Sequence, residues 1–187
     1  MIRSFLAIEL PQSVLKKIEE VQGDLKQSRA DVRWVSPRNI HLTLKFFGNI
    51  DESKIESIVQ AIEGPVSATP PFSLKVRGLG AFPHLKNPRV LWMGLTEGKD
   101  VLTILQRQVE DELEKVGFER EERPFQPHLT LGRSNSSRGR DELIGMMEKY
   151  REEEFGEVVV EKMILFKSDL RPTGPIYTAL KEIKLGK

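Results

Sequence analysis

The tetrapeptide His-Leu-Thr-Leu occurs twice in this 187-residue chain, at His41 to Leu44 and again at His128 to Leu131, an offset of 87 positions. The agreement extends upstream, where Arg33, Pro37 and Asn39 stand at the same distances from the first His as Arg120, Pro124 and Gln126 do from the second. A second copy has chance odds of about one in a thousand before those flanking residues are counted, so the chain reads as a duplicated unit. In a strand, residues i and i+2 point to one face and i+1 and i+3 to the other. Each motif therefore buries its two Leu side chains and presents an imidazole beside a hydroxyl. If the halves face each other about a pseudo-two-fold axis, His41, Thr43, His128 and Thr130 converge on one cleft sized for one small group.

The patterning around the motifs agrees with a repeat of strands and helices. Strands are predicted over residues 2–10, 32–35, 41–47, 72–79, 89–95, 128–132, 158–167 and 176–183. Gly48-Asn49 is read as a turn, and residues 83–88 as the loop of a hairpin. One helix carries Leu15, Ile18, Val21 and Leu25 on a stripe, and a second, capped by Asp51, carries Ile55, Ile58 and Ile62 until Gly64-Pro65 stops it. A third runs from Asp100 to about Val116 with Gly117 as its cap, and a shorter fourth covers about residues 141–150. The class is α+β: one bilobal domain over residues 1–187, of two pseudo-repeated sheet-plus-helix lobes around a central cleft with one motif strand each. The lobe boundary falls near residues 64–71, and the C-terminal strands are free to cross back.

Chemistry follows from the residue types. An imidazole titrates near ~6.5, so a facing pair can take a proton from an attacking oxygen and give one to a leaving oxygen. Hydroxyls two residues on can donate to non-bridging phosphate oxygens. Such a set suits in-line phosphoryl transfer without a metal or other cofactor, the charge being met by imidazolium, hydroxyls and an arginine. The chain has 3 His and no Cys, which removes disulfides, thiolate metal sites and cysteine nucleophiles, and makes a dedicated metal site an unfavoured reading. Lys plus Arg number 29 against 28 for Asp plus Glu, so no global field grips nucleic acid and any such partner must be met locally. No apolar run approaches ~18 residues and no leader is recognisable, which together with the missing cysteines predicts a cytoplasmic protein off the membrane. The stretch from Gly94 to Asp100 has one residue too few between its glycines for a phosphate loop, and Asp follows its Lys. His84 is read as an exposed loop residue, and Arg138 and Arg140 as part of a solvated loop.

Paired His-x-Thr-x motifs, one per half of a chain this size, resemble the two-histidine phosphoesterase superfamily. The chain is similar over its whole length to the RNA 2′,3′-cyclic phosphodiesterase branch, also called the 2′-5′ RNA ligase family. The resemblance rests on Arg3-Ser4-Phe5-Leu6-Ala7-Ile8, His41 to Gly48, Arg89-Val90-Leu91-Trp92, and Arg123-Pro124-Phe125 through Pro127 to Arg133. It implies opening of an RNA terminal 2′,3′-cyclic phosphate to a 2′-phosphate, with ATP-independent 2′-5′ joining as a linked activity. It further implies that His41 protonates the departing O3′, that His128 activates water, and that Thr43 and Thr130 hold phosphate oxygens. Arg133 would pair with the phosphate, Phe46 would stack on the base, and Arg123 joins them in the substrate-binding set. RNA ends, tRNA fragments among them, are the expected partner, and a monomer the expected state. Two other readings remain open: a non-catalytic RNA-end or nucleotide-binding module, and a phosphodiesterase of a small cyclic nucleotide. One tension stands, because strict alternation puts Lys45 and Gly132 on the His face and sends Phe46 and Arg133 to the other. Their roles require the strands to bulge or end, which Gly132 permits in the second motif while no such residue marks the first.

Overall fold

Antiparallel pairing joins every strand of the chain into one of two sheets. The computed structural model describes residues Met1–Lys187. In chain order the elements are β1 (Ile2–Ile8), α1 (Gln12–Leu25), β2 (Val32–Trp34), β3 (Leu42–Ile50), α2 (Ile55–Ala68), β4 (Phe72–His84), β5 (Asn87–Leu95), α3 (Lys99–Lys115), β6 (His128–Ser134), α4 (Arg140–Glu148), β7 (Glu154–Val160), β8 (Lys162–Asp169) and β9 (Ile176–Lys184). A four-stranded sheet has the order β3-β1-β8-β9, and a five-stranded sheet the order β2-β6-β5-β4-β7. The two motifs thus lie on different sheets, β3 at an edge and β6 between β2 and β5. Sheet membership does not follow chain order: β2 leaves the first half to pair with β6, and β8 and β9 return to the four-stranded sheet.

The helices cross over in the same way. α1 and α4 pack behind the five-stranded sheet, against β7 and β4, whereas α2 lies along β9 and against α3, whose side chains reach β3. Their buried stripes are Val14, Ile18, Val21 and Leu25 on α1, Ile58, Ile62 and Val66 on α2, and Leu102, Leu105, Val109 and Leu113 on α3. These residues and the inward sides of both sheets form one continuous core that includes Leu42, Leu44, Leu129 and Leu131. A small second cluster, Phe5, Ala7, Ile164 and Phe166, occupies the other face of the four-stranded sheet. That sheet is apolar on both sides, and its second side is where His41 lies.

Four boundaries differ from the sequence expectation. Gly48-Asn49 is not a turn: β3 runs through it to Ile50, and Gly48 takes its positive φ of 69° beside a bulge at Phe47. Gly64-Pro65 does not stop α2, which continues to Ala68 with Pro65 inside its last turn; the helix ends there with the Thr69 hydroxyl donating to the Pro65 carbonyl at 2.9 Å. The hairpin loop shrinks to Leu85-Lys86, with Pro83 and Pro88 paired inside the ladder. The single strand expected over 158–167 is two: β7 ends at Val160 on one sheet, Glu161 marks the crossing, and β8 begins at Lys162 on the other. The run is interrupted only by Glu161-Lys162, and two charged residues with no Gly or Pro are compatible with one continuous strand, so local sequence does not show the change of sheet. Asp51 caps not α2 itself but the 3₁₀ turn Glu52–Lys54 that leads into it, its carboxylate accepting from the Ser53 N–H at 2.9 Å, and α2 begins at Ile55 without a side-chain cap.

Candidate active site

Each imidazole is fixed by the residue two positions before it. His41 Nδ1 lies 3.3 Å from the carbonyl of Asn39, and His128 Nδ1 lies 2.6 Å from that of Gln126, its repeat equivalent. A carbonyl can only accept, so Nδ1 carries the hydrogen in both rings and Nε2 is left with the lone pair of the neutral form. Asn39 is itself held by donating from Nδ2 to the Pro175 carbonyl at 3.1 Å. Burial pushes both His pKa values below the ordinary 6.5, opposed at each by the carbonyl bond. Glu9 raises His41 slightly, whereas the positive charge of Arg133 lowers His128 further.

Aromatic rings surround both. Phe166 lies 4.8 Å from the His41 ring centre, Tyr177 5.5 Å and Phe5 6.2 Å, and burial raises the Tyr177 pKa. At His128 the wall is Phe82, edge-on at 5.0 Å, with Trp92 beyond it. Trp92 is the cross-strand partner of Thr130 and covers Gly80, where a Cβ would lie 2.2 Å from the indole. The wall is flush because residue 80 has no side chain. Of these residues only Phe5 and Trp92 fall in stretches the sequence singled out. Phe82, Phe166 and Tyr177 come from distant strands, and nothing in their local sequence marks them.

The alternation problem is resolved by a bulge in each motif. In β3, Thr43 pairs with Ala7 and Lys45 with Leu6, leaving Leu44 as the extra residue; in β6, Thr130 pairs with Trp92 and Gly132 with Leu91, leaving Leu131 extra. The bulges sit at repeat-equivalent positions and reset the facing of everything after them. Phe46 becomes the partner of Phe5, 6.0 Å away between ring centres and 66% exposed, on the same face as Thr43. Arg133 returns to the His128 face, where its charge is felt by the imidazole. Lys45 and Gly132 turn inward, correcting the strict alternation: Lys45 is buried and donates to both oxygens of Glu110 at 3.0 Å and to the Glu119 carbonyl at 2.9 Å. The bulge at Leu44 needs no glycine, which is why the first motif carries no sign of it.

Arginines differ sharply in how free they are. Arg33 on β2 is the direct cross-strand partner of Arg133, and both are exposed. Arg120, the repeat equivalent of Arg33, is instead neutralised by Asp111 and Glu114 on α3. Arg123 lies exposed in the loop before β6, where its backbone N–H meets Glu121; no hydrogen bond or ion pair ties it to either motif. The loop after β6 is tied to Asp31, whose carboxylate accepts from Ser136 at 2.7 Å and lies 3.9 Å from Arg138. His84 is exposed at the hairpin tip. No group of three His, Asp or Glu side chains is placed to hold a metal ion, and no helix is long and apolar enough to cross a membrane.

Two sheets, each carrying a repeat-related imidazole and hydroxyl beside aromatic walls, define a duplicated α+β protein of the two-histidine type. The chain belongs to the 2′-5′ RNA ligase superfamily, whose family model matches residues 10–171. It is 37% identical over 184 residues to an RNA 2′,3′-cyclic phosphodiesterase of Methanothermobacter thermautotrophicus, covering 98% of this chain and 99% of that one. A protein of the same name from Aquifex aeolicus is 35% identical over 187 residues, covering 100% and 98%. Among solved structures, TT0787 of Thermus thermophilus superposes with a TM-score of 0.81 at 27% identity, over 100% of both chains. The apo form of Escherichia coli LigT does so with a TM-score of 0.76 at 26% identity, over 100% of this chain and 98% of that one.

Proposed function

We propose that this protein opens the 2′,3′-cyclic phosphate at an RNA end to leave a 2′-phosphate, and that the same site joins such an end to a 5′-hydroxyl through a 2′-5′ bond without ATP. The observation that carries the reading is the repeat-equivalent fixing of two imidazoles, each with Nδ1 on the i−2 carbonyl and Nε2 free. Relatives covering almost the whole chain carry the name RNA 2′,3′-cyclic phosphodiesterase, which supports the substrate class.

The reaction follows from that pair. His128 Nε2 takes the proton of a water as its oxygen bonds to phosphorus; the P–O3′ bond breaks opposite, and His41 as imidazolium gives its Nε2 proton to O3′. The phosphate stays on O2′. Thr43 and Thr130 donate to the non-bridging oxygens, and Arg133 offsets their charge. The dianionic character of the transition state keeps the acid imidazole protonated despite the burial that lowers its free pKa. Phe46, exposed beside Phe5, offers a stacking surface for the terminal base. Arg123 is retained as a secondary substrate contact from its loop. The two halves act as one catalytic domain, metal-independent and monomeric, working in the cytoplasm on RNA ends such as tRNA fragments.

Digestion of an oligonucleotide ending in a 2′,3′-cyclic phosphate tests this. The product should resist an enzyme that removes only 3′-phosphates, and the rate should survive EDTA. A 3′-phosphate product overturns the acid-base assignment, and loss of activity restored by Mn²⁺ or Zn²⁺ overturns the paired-imidazole mechanism.

A further inference from the structure

Behind each motif, on the core side, lies a buried glutamine from the helix of the other half. Gln22 on α1 is 2% exposed, and its Nε2 donates to the Leu131 carbonyl at 3.0 Å and to the Val35 carbonyl at 2.8 Å. Gln106 on α3 is 8% exposed, and its Nε2 donates to the Leu44 carbonyl at 3.4 Å and to Glu110 Oε1 at 3.4 Å. The two occupy the same place in their stripes: Ile18, Val21, Gln22, Leu25 on α1 and Leu102, Leu105, Gln106, Val109 on α3. Their acceptors are repeat equivalents too, and both are the extra residue of a bulge.

A bulged residue falls out of the ladder, so its carbonyl needs a partner from elsewhere if it is buried. Leu44 and Leu131 are both buried, and a glutamine from a helix stripe meets each. The Leu131 carbonyl also accepts the Val35 N–H at 3.0 Å, so Gln22, bonded to the carbonyls of both Leu131 and Val35, ties the bulge to the end of β2 as well as to α1. An apolar residue in place of Gln22 would take the side-chain donor from the Val35 carbonyl and leave the Leu131 carbonyl with the Val35 N–H alone, and one in place of Gln106 would take the side-chain donor from the Leu44 carbonyl. Either change favours the regular ladder, in which Phe46 and Arg133 point away from the histidines.

We propose that Gln22 and Gln106 are reciprocal positioning residues: each half's helix locks the bulge in the other half's motif strand, and the lock is what keeps Arg133 beside His128 and Phe46 beside the His41 face. The reading rests on the proposed function for its consequence in catalysis and on geometry alone for the lock. Such an arrangement also ties the two motifs together, since neither strand keeps its functional shape without the opposite repeat.

The test uses Gln22→Met and Gln106→Met, which keep length, helix propensity and burial and remove the side-chain amide with its donors. The His128 imidazole is followed by NMR titration without substrate, so the outcome is independent of whether the enzyme reading holds. Gln22→Met should raise the His128 pKa in the direction that Arg133→Gln does, because the guanidinium moves away, and the double variant should shift no further. Gln106→Met should leave that titration at its wild-type value and instead abolish the effect of Phe46→Ala on KM for an RNA cyclic phosphate. Each single variant should lose roughly ten- to hundredfold in kcat/KM, the scale of a small misplacement of binding groups. A wild-type His128 titration in Gln22→Met, or shifts that add to those of Arg133→Gln, would overturn the lock. If Gln22→Met does not fold, the Gln106→Met cycle with Phe46→Ala decides alone: additivity there overturns the proposal.

Discussion

At His41 and His128 burial and a carbonyl bond act in opposite directions, and burial wins, so both folded imidazoles titrate below the unfolded value near 6.5. The unfolded chain binds the protons more readily, so the stability these residues contribute is whole above about pH 6.5 and is lost as pH falls through their folded pKa values. Thermal melting between pH 7 and pH 5 should therefore drop more in the wild type than in a His41→Asn/His128→Asn double variant. The proposed reaction uses one neutral and one protonated ring, so kcat/KM should be bell-shaped with its maximum on the acid side of 6.5. The profile of kcat should lie at higher pH, since bound phosphate favours imidazolium. A maximum of kcat/KM above about pH 7.5 would contradict the burial argument. Replacing either His by Ala should cost roughly 10²- to 10⁴-fold in kcat, and the double replacement little more than the worse single one. A single variant with wild-type turnover would remove that residue from the chemistry.

Among the elements, β3 shows what a sequence reveals and what it hides. The two motifs, their buried Leu pairs and the sharing of a face by His and Thr are periodic features, legible because period-two alternation maps directly onto a strand. The bulge at Leu44 is not periodic and carries no glycine; it depends on α3, 62 residues away through Gln106, so no window around the motif contains it. The change of sheet at Glu161 is hidden for a related reason: β7 pairs with β4 and β8 with β1, both distant in sequence, and no turn residue marks the crossing. β3 is also joined to α3 by the ion pair of Lys45 and Glu110, with side chains 6% and 5% exposed. Two charges out of water are stable only while paired, so Glu110→Ala should destabilise the protein by about 3–5 kcal/mol in denaturant unfolding. A Lys45→Met/Glu110→Leu double variant, which removes both charges and keeps the volume, should recover most of that loss. If the double variant is as unstable as the single, the pair contributes more than mutual neutralisation, and β3 needs its polar anchor to fold.

Over the whole molecule the formal net charge is +1, so attraction to RNA has to come from a few local residues and not from a long-range field. Arg33 and Arg133 stand directly opposite each other on β2 and β6, a like-charge pair that disfavours the empty sheet and is relieved by an anion between or above them. The repeat-equivalent Arg120, by contrast, is held by Asp111 and Glu114 and is not free for a phosphate. Beside the second motif the positive footprint is therefore these two arginines, and on the first sheet it is the exposed Arg3, whose charge is felt by the Tyr177 hydroxyl, together with the imidazolium. Each phosphate neutralised on a single strand contributes about −0.7 to the slope of log affinity against log salt, so two to three contacts predict a slope of about −1.4 to −2. Binding of a 2′,3′-cyclic phosphate oligonucleotide to a His128→Ala variant, which keeps the His41 imidazolium and slows turnover, measures that slope by titration at several KCl concentrations. Arg33→Gln should make it shallower by about 0.7 while leaving the chemistry of a bound cyclic mononucleotide unchanged. A slope steeper than about −4 would mean that the RNA tracks a much longer basic surface than these two strands provide, and an unchanged slope in Arg33→Gln would place the strand on the opposite side of Arg133.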